Sequence, residues 1–195
     1  MPIANSWCYR PAGSVPKVQP MDTHSPLPPS TSSRLAASQT PYGPALRHAD
    51  SDADLLACWP VVQQLRPQLQ SAEDFITRVH RMRADRYRIL AAWQGNHTAV
   101  ALGGYRLTEN LIYGRFLYVD DLVTLDTARG ARWGQALMDS MARIGEEAGC
   151  SCLVLDTGLS NALAQRFYFR QGLLTQAMRF GRPLQSVQNG GGAAA

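Results

Sequence analysis

A glycine-containing turn between an extended run and an amphipathic helix constrains the fold of this chain most strongly. The turn comprises residues 129–136, Arg-Gly-Ala-Arg-Trp-Gly-Gln-Ala, and follows an extended run that ends near Thr124. Behind it, apolar residues recur at helical spacing and predict a helix at 131–148. Such a turn presents several unpaired backbone N–H groups and the positive end of the helix dipole to one place. The pattern predicts an α/β fold, and the helix start is either a diphosphate site or a simple packing turn.

The rest of the pattern predicts a sheet with helices on its flanks. A short strand at 45–47 and two helices, which start near Asp50-Ser51-Asp52 and Ser71, come first. An antiparallel meander is predicted next, with strands at 87–93, 98–107 and 111–124 and turns at 94–96 and 108–110. The last predicted elements are a strand at 151–156, a helix at 161–170 that ends before Gly172, and a final strand at 174–180. This order predicts a mixed, mostly antiparallel and twisted sheet flanked by helices.

Composition divides the chain of 195 residues into three parts. Nine of the twelve prolines lie in residues 1–44, together with a run of small polar residues. Such a segment buries too little apolar surface to offset the entropy of ordering it, so we expect a disordered Pro/Ser-rich extension. Met21 is an alternative start to Met1. Residues 45–184 are predicted to form the folded domain, and residues 185–195 a flexible Gly/Ala tail.

Composition also disfavours several classes of function. No apolar run reaches the roughly 18 residues of a membrane span, and a secretory signal pattern is lacking, so we expect a cytoplasmic protein without a membrane partner. The four cysteines and four histidines show no metal-ligand spacing, so no metal is expected. The net charge of +4 is carried by 18 arginines and one lysine. This excess is too mild to predict nucleic-acid binding by itself.

Three linked motifs carry a resemblance to a known family. They are an acidic strand at 120–124 (Asp-Asp-Leu-Val-Thr), the turn at 129–136, and a helix with Asn161, Ala164, Tyr168 and Gly172. Over residues 115–173 these motifs resemble the GNAT superfamily of N-acetyltransferases. The resemblance implies the GNAT-type α/β fold, acetyl-CoA as the donor, and a small-molecule or peptide amine as the acceptor.

The same resemblance implies which residues meet the cofactor. Leu122, Val123 and Thr124 would hydrogen-bond the pantetheine arm as an added strand does, usually beside a β-bulge. Backbone amides of the turn would bind the pyrophosphate. The turn consists of Arg129, Gly130, Ala131, Arg132, Trp133, Gly134, Gln135 and Ala136. Asn161 would lie near the cofactor or simply cap its helix. Arg132 replaces a glycine of the family pattern; we expect the helix start to tolerate this residue and its side chain to point outward, toward a phosphate.

Catalysis is predicted to depend on a carboxylate and a tyrosine. Acyl transfer to an amine needs a base for the ammonium proton and an acid for the departing thiolate. We assign Asp120 as the base and Asp121 as a substrate or structural contact, since strand neighbours point to opposite faces unless a bulge intervenes. The resemblance places Tyr168 near the sulfur as the general acid. The alternatives are an exposed acidic pair that only solvates the strand and a tyrosine that belongs to the core.

The predicted function is therefore acetyl transfer to a primary amine by direct transfer in a ternary complex. The acidic pair favours a cationic acceptor such as a polyamine, an aminoglycoside-like compound or a lysine side chain. Two other classes are a catalytically silent acyl-CoA-binding or regulatory protein and, less favoured, a nucleic-acid-binding module built on the arginine-rich stretch at 78–88. The same stretch is alternatively a contact for the ribose phosphate of CoA. A homodimer is left open.

Overall fold

The computed structural model describes residues 45–95 and 97–183 of the chain. Within these residues, five strands form one sheet and four α-helices pack against it. The strands are β1 (Ala45–His48), β2 (Tyr87–Gln94), β3 (Thr98–Asn110), β4 (Gly114–Thr124) and β5 (Leu153–Leu155). The helices are α1 (Asp52–Leu65), α2 (Ala72–Met82), α3 (Trp133–Glu147) and α4 (Ala162–Arg170), and short 3-10 turns lie at Arg83–Asp85 and Asp126–Ala128.

The strands lie in the sheet in chain order, from β1 to β5. The pairs β1–β2, β2–β3 and β3–β4 are antiparallel, whereas β4 and β5 are parallel because α3 crosses between them. This is the mixed, mostly antiparallel sheet flanked by helices that the sequence predicts. The predicted fold class is confirmed.

The first two helices start at the predicted serines. Ser51 forms a capping box, because its hydroxyl accepts from the N–H of Asp54 at 3.1 Å while the Asp54 carboxylate accepts from the N–H of Ser51 at 3.3 Å. The Ser71 hydroxyl caps α2 in the same way, through the N–H of Asp74. Each such cap stabilises a helix by about 1 kcal/mol.

Two apolar clusters lie on opposite faces of the sheet. Trp93 and Leu102 pack with α1 and α2 in one cluster, whereas Leu137 and Met141 of α3 belong to the other. Gly103 of β3 lets α3 approach closely, since a Cβ there would lie only 2.8 Å from the sulfur of Met141. The sheet is therefore a buried central layer between the helices.

The predicted turn at 108–110 is wrong. β3 continues through Asn110, and the chain reverses at residues 111–113 before β4 starts. The Asn110 side chain accounts for the difference, because its oxygen accepts from the N–H groups of Ile112 and Tyr113 at 2.9 and 2.8 Å. Asparagine often stabilises a turn in this way from the position before it.

The predicted final strand at 174–180 is also wrong. These residues form no regular element, and Leu174, Met178 and Phe180 expose most of their side-chain surface. β5 is only three residues long, and no strand of the described region pairs with its outer edge. An alternating apolar pattern forms a strand only where a partner strand exists. The predictions for residues 1–44 and 185–195 lie outside the described residues.

Candidate active site

A β-bulge at Asp120 interrupts the pairing of β3 with β4. Gly104 lies opposite Asp121 and Tyr105 lies opposite Val119, so Asp120 is an extra residue on β4. A bulge releases successive side chains from the strict alternation of a strand. Asp120 and Asp121 consequently line the same cavity. The bulge implied by the family resemblance is present, and it lies within the acidic pair.

Asp120 forms a bidentate ion pair with Arg106 of β3. Nε of Arg106 lies 2.9 Å from Oδ2 of Asp120, and Nη2 lies 3.0 Å from Oδ1. Burial raises the pKa of Asp120, and the contacts with Arg106 offset that rise only in part. A carboxylate has about four lone-pair sites, so the two that Arg106 occupies leave others for a further donor. Asp120 thus accepts a proton more readily than an ordinary aspartate does.

Asp121 is held by two residues from other elements. Arg66, which follows α1, donates from Nε to Oδ1 at 2.8 Å, and the Tyr87 hydroxyl donates to Oδ2 at 2.7 Å. Arg66 also donates from Nη2 to the backbone carbonyl of Asp120 at 3.0 Å. Gly104 makes room for this network, because a Cβ there would overlap the Tyr87 hydroxyl and lie 2.9 Å from Asp121 Oδ2. Asp121 therefore connects the end of α1 to the bulge.

No local pattern in the sequence predicts that Arg66, Tyr87 and Arg106 contact the acidic pair. They are separated from their acidic partners by 55, 34 and 14 residues respectively, so only the sheet register and helix packing bring them together. The sequence does contain one signal, the two adjacent glycines Gly103 and Gly104 inside a predicted strand. Glycine within a strand often marks a close approach by another group.

A cavity of about 210 Å³ extends from the acidic pair beneath α1 and α2. Its polar end contains both carboxylates and the Arg66 guanidinium. The remaining wall is largely apolar and includes Leu69, Phe75, Met82, Leu102 and Val123. Because pockets for drug-sized ligands measure roughly 300–1,000 Å³, this cavity fits a smaller molecule.

The strand edge beyond the bulge is open on one side. β4 pairs with β5 only from Leu117 to Val119. Leu122, Val123 and Thr124 pair with β3, but no described strand pairs with their other edge. An extended ligand can bind such an edge through backbone hydrogen bonds. This geometry fits the predicted role of residues 122–124 toward a pantetheine arm.

α3 starts without a capping side chain. Its N-cap residue, Arg132, makes no side-chain cap hydrogen bond, and the first turn of the helix contains no acidic residue. The unpaired N–H groups and the dipole of such a helix start attract an anion. Nearby, Gly130 adopts a φ of +87°, and Arg129 pairs with Asp126 at 2.6 Å. The helix start therefore has the chemistry that a diphosphate needs.

Arg132 lies at the helix start with an exposed side chain, as expected. Its backbone has a φ of +62° and a ψ of +22°, in the left-handed region. Glycine adopts this region freely, whereas an L-residue is destabilised there by about 1–2 kcal/mol. The position therefore accepts an arginine, as expected, but at a cost in backbone strain that the sequence did not reveal.

Gly134 also has a packing role. A Cβ at Gly134 would lie 3.2 Å from Cζ of Phe167, so the absent side chain lets α4 pack against the first turn of α3. The neighbouring residues of the turn differ in exposure. Ala131 and Gln135 are exposed, whereas Trp133 and Ala136 are partly buried.

α4 contains the two remaining predicted site residues. Asn161 is its N-cap, and the carboxamide oxygen accepts from the N–H of Ala164 at 3.1 Å. Tyr168 is half-buried, and its ring meets that of Phe167 edge-on with 5.5 Å between centroids. Burial raises the pKa of Tyr168, so its hydroxyl keeps its proton, as a general acid requires. Tyr168 does not line the cavity at Asp120; the structure brings the acidic pair together but does not add the tyrosine to that cavity.

The arginine-rich stretch lies far from the start of α3. Arg83 and Arg88 line a second cavity, of about 440 Å³, that also contacts Ile144. Ile144 lies about 16 Å along the helix axis from Trp133 at 1.5 Å per residue. This distance argues against a contact with CoA phosphates at the start of α3. Both arginines instead contact Asp50. Arg83 donates to the backbone carbonyl of Asp50 at 2.7 Å, and Arg88 pairs with the Asp50 carboxylate at 3.2 Å.

Other chemistry has little support in the described part of the chain. Burial raises the pKa of Cys58 to about 12, so its thiol stays protonated and unreactive.

Within residues 45–95 and 97–183 there is no group of three or more His, Cys, Asp or Glu side chains that could hold a metal ion. None of the described helices combines the length and apolar character needed to span a membrane.

A bulged strand with an open edge, next to an uncapped helix start, is an arrangement that suits an α/β acyltransferase. The chain belongs to the acetyltransferase (GNAT) family, whose sequence model matches residues 52–173. The predicted family and enzyme class, a GNAT-type N-acetyltransferase, are therefore confirmed.

Similar proteins share most of the folded region. The uncharacterised N-acetyltransferase YhdJ of Bacillus subtilis (strain 168) is 25% identical over 142 residues, which cover 71% of this chain and 98% of YhdJ. A structure of AAC(6')-Iy with the bisubstrate analogue CoA-S-monomethyl-acetylneamine aligns with a TM-score of 0.62 at 16% identity, over 72% of this chain and 97% of that one. Glucosamine-6-phosphate N-acetyltransferase of Arabidopsis thaliana aligns with a TM-score of 0.55 at 17% identity, over 72% and 97%. At these identities the solved structures establish a shared fold.

Proposed function

We propose that this protein transfers an acetyl group from acetyl-CoA to the primary amine of an acceptor, directly within a ternary complex. The bulge at Asp120 carries the proposal, because it sets a carboxylate with a raised pKa beside the open edge of β4. The fold similarity to AAC(6')-Iy, solved with a CoA-containing bisubstrate analogue, supports the choice of donor. The similarity to glucosamine-6-phosphate N-acetyltransferase supports an amine acceptor.

The donor would bind along β4 and at the start of α3. Backbone groups of residues 122–124 would pair with its pantetheine arm, and the N–H groups of the first turn of α3 would face its diphosphate. The exposed Arg132 side chain is available to a phosphate oxygen. Acetyl-CoA supplies the acetyl group as an activated thioester.

The acceptor amine would enter the cavity at the acidic pair. Asp120 accepts a proton from the ammonium group, which leaves a nitrogen lone pair free to attack the acetyl carbon. A carbon–nitrogen bond forms, the carbon–sulfur bond breaks, and the nitrogen loses a second proton to solvent as the amide forms. Tyr168 is the proposed donor of the proton that the departing sulfur takes up. Arg106 orients Asp120, and the contacts of Asp121 hold the bulge in place.

Ligand binding and thiol release test this proposal. Acetyl-CoA at about a hundredfold excess over its Kd should stabilise the protein by about 2.7 kcal/mol, seen as a rise in Tm. The variant Gly134→Glu should abolish that rise, because it adds a negative charge at the helix start and pushes against Phe167. Gly181→Glu is the matched control, since a Cβ there meets no atom within 4 Å.

The outcomes separate the proposed activity from its alternatives. Acetyl-CoA should stabilise the protein, and amines should cause release of free thiol. Binding without thiol release across a panel of amines would favour a silent acyl-CoA-binding protein. Retention on RNA that is lost as salt rises, without a response to acetyl-CoA, would favour a nucleic-acid-binding protein.

A further inference from the structure

The cavity beneath α1 and α2 has almost no free negative charge. Asp120 is matched by Arg106, and Asp121 by Arg66, each at 2.9 Å or less. Arg78, another cavity residue, is matched by Asp74 at 2.9 Å. The acidic pair, which in the sequence alone favours a polycation, is therefore compensated in the folded protein.

The inner wall of the cavity is apolar. Phe75 and Leu102 are buried, and the partly buried Leu69, Met82 and Val123 pack against the same cluster. The cavity measures about 210 Å³, below the roughly 300–1,000 Å³ of typical ligand pockets. One end can therefore meet an amine, whereas the rest can accept only a small group without charge.

We propose that the acceptor is a small primary monoamine with an uncharged, apolar body. This inference rests on the proposed function, because it assigns the amine to the acidic end of the same site. Within the cavity, a second ammonium group would have to lie against apolar side chains or beside the guanidinium groups of Arg66 and Arg78, where little offsets its lost hydration. An apolar body instead gains from burial along the partly buried Leu69, Met82 and Val123.

A comparison of acceptors tests the inference directly. With acetyl-CoA saturating, kcat/KM from thiol release should be at least about tenfold higher for 2-phenylethylamine than for spermidine or a lysine-containing peptide. Without acetyl-CoA, 2-phenylethylamine should also raise Tm more than spermidine does at equal concentration. A preference for spermidine or the peptide would overturn the inference while leaving the proposed function intact. No thiol release with any amine would overturn the proposed function, and the inference with it.

A charge placed in the cavity wall provides a second test. Leu69→Glu adds a carboxylate to the wall, whereas Leu56→Glu makes the same change on α1 at a side chain that is 54% exposed and does not line the cavity. Leu69→Glu should lower kcat/KM for 2-phenylethylamine about tenfold or more and raise it for spermidine. Leu69→Gln, which changes polarity without charge, should not raise the spermidine value, and Leu56→Glu should change neither. An unchanged ratio in Leu69→Glu, with normal stabilisation by acetyl-CoA, would contradict the assignment of this cavity to the acceptor.

Discussion

Asp120 is the residue whose ionisation matters most for the proposed reaction. Burial raises its pKa above the ordinary aspartate value of about 3.9. A raised pKa means that the carboxylate, the form that acts as a base, is lost as the pH falls through that higher value. The value of kcat/KM should therefore decline on the acidic side earlier than an exposed aspartate would cause.

Replacing Asp120 by asparagine should lower kcat by about 10²–10⁴, because the side chain can no longer accept a proton. The affinity for acetyl-CoA should stay the same, since the predicted donor contacts are backbone groups of other residues. Steady-state kinetics and calorimetric titration measure the two effects separately. Asp139→Asn, at an exposed position of α3, is the matched control. If the variant kept the acidic limb of the pH profile, another group would have to be the base.

Tyr168→Phe should reduce turnover more than donor affinity. The change removes only the hydroxyl and preserves the ring that packs against Phe167. Because Tyr168 is the proposed proton donor to sulfur, kcat should fall while Kd for CoA changes little. The basic limb of the pH profile should also disappear. Wild-type activity in this variant would reduce Tyr168 to a packing role.

Arg132→Gly should stabilise the protein by roughly 0.5–1 kcal/mol. The substitution relieves the left-handed strain at φ +62°, although glycine loses more entropy on folding. Chemical denaturation measures the change in the free energy of unfolding. The control Arg129→Gly changes a neighbouring arginine whose φ is −63°, so it should give no gain. A loss of stability in Arg132→Gly would mean that the arginine side chain contributes more than the strain costs.

At the scale of the elements, the end of β4 combines two discontinuities. The bulge at Asp120 shifts the register between β3 and β4, and the pairing of β4 with β5 ends at Val119. β4 is thus paired on both edges at the buried Leu117, and its edge away from β3 is free beyond Val119, where the donor is proposed to bind. Gly104 lies opposite the bulge and determines whether Tyr87 can reach Asp121.

Gly104→Ala should destabilise the protein by about 2–3 kcal/mol, because the added methyl group overlaps the Tyr87 hydroxyl and breaks its hydrogen bond. Adding Tyr87→Phe removes the overlapped oxygen. The double variant should therefore lose less stability than the sum of the two single changes, as measured in a double-mutant cycle. Gly158→Ala is the control, since a Cβ there meets only Ser160 Oγ at 3.9 Å. Simple additivity would show that the overlap is relieved elsewhere.

Across the whole molecule, the sequence predicted the helices and strands better than the long-range contacts between them. The element order and the caps at Ser51 and Ser71 followed from local patterns, which act over a few residues. The pairing of Arg66 with Asp121 spans 55 residues and depends on how α1 packs on the sheet, so no local pattern contains it. The failed strand at 174–180 has the same cause, because a strand needs a partner that local sequence cannot supply.

The Pro/Ser-rich composition of residues 1–44 predicts that the chain can be shortened at its start. Every buried apolar residue of the described region lies between Ala49 and Met141. Removing residues 1–44 should therefore change the free energy of unfolding by no more than about 0.5 kcal/mol. Removing residues 1–48 should cost clearly more, since it deletes β1 and the His48–Tyr105 hydrogen bond of 2.8 Å. Thermal unfolding of the two shortened chains makes the comparison, and equal stability would show that β1 is dispensable.

The pairing of each site carboxylate with its own arginine has a consequence for how an acceptor reaches the site. Opposite charges so close together cancel at distances beyond a Debye length, about 8 Å at physiological ionic strength. The two ion pairs therefore add little long-range field that could draw in cations. The acceptor is then selected after the encounter, by its fit to the cavity and by the cost of removing its water, so the protein meets many amines but binds few of them.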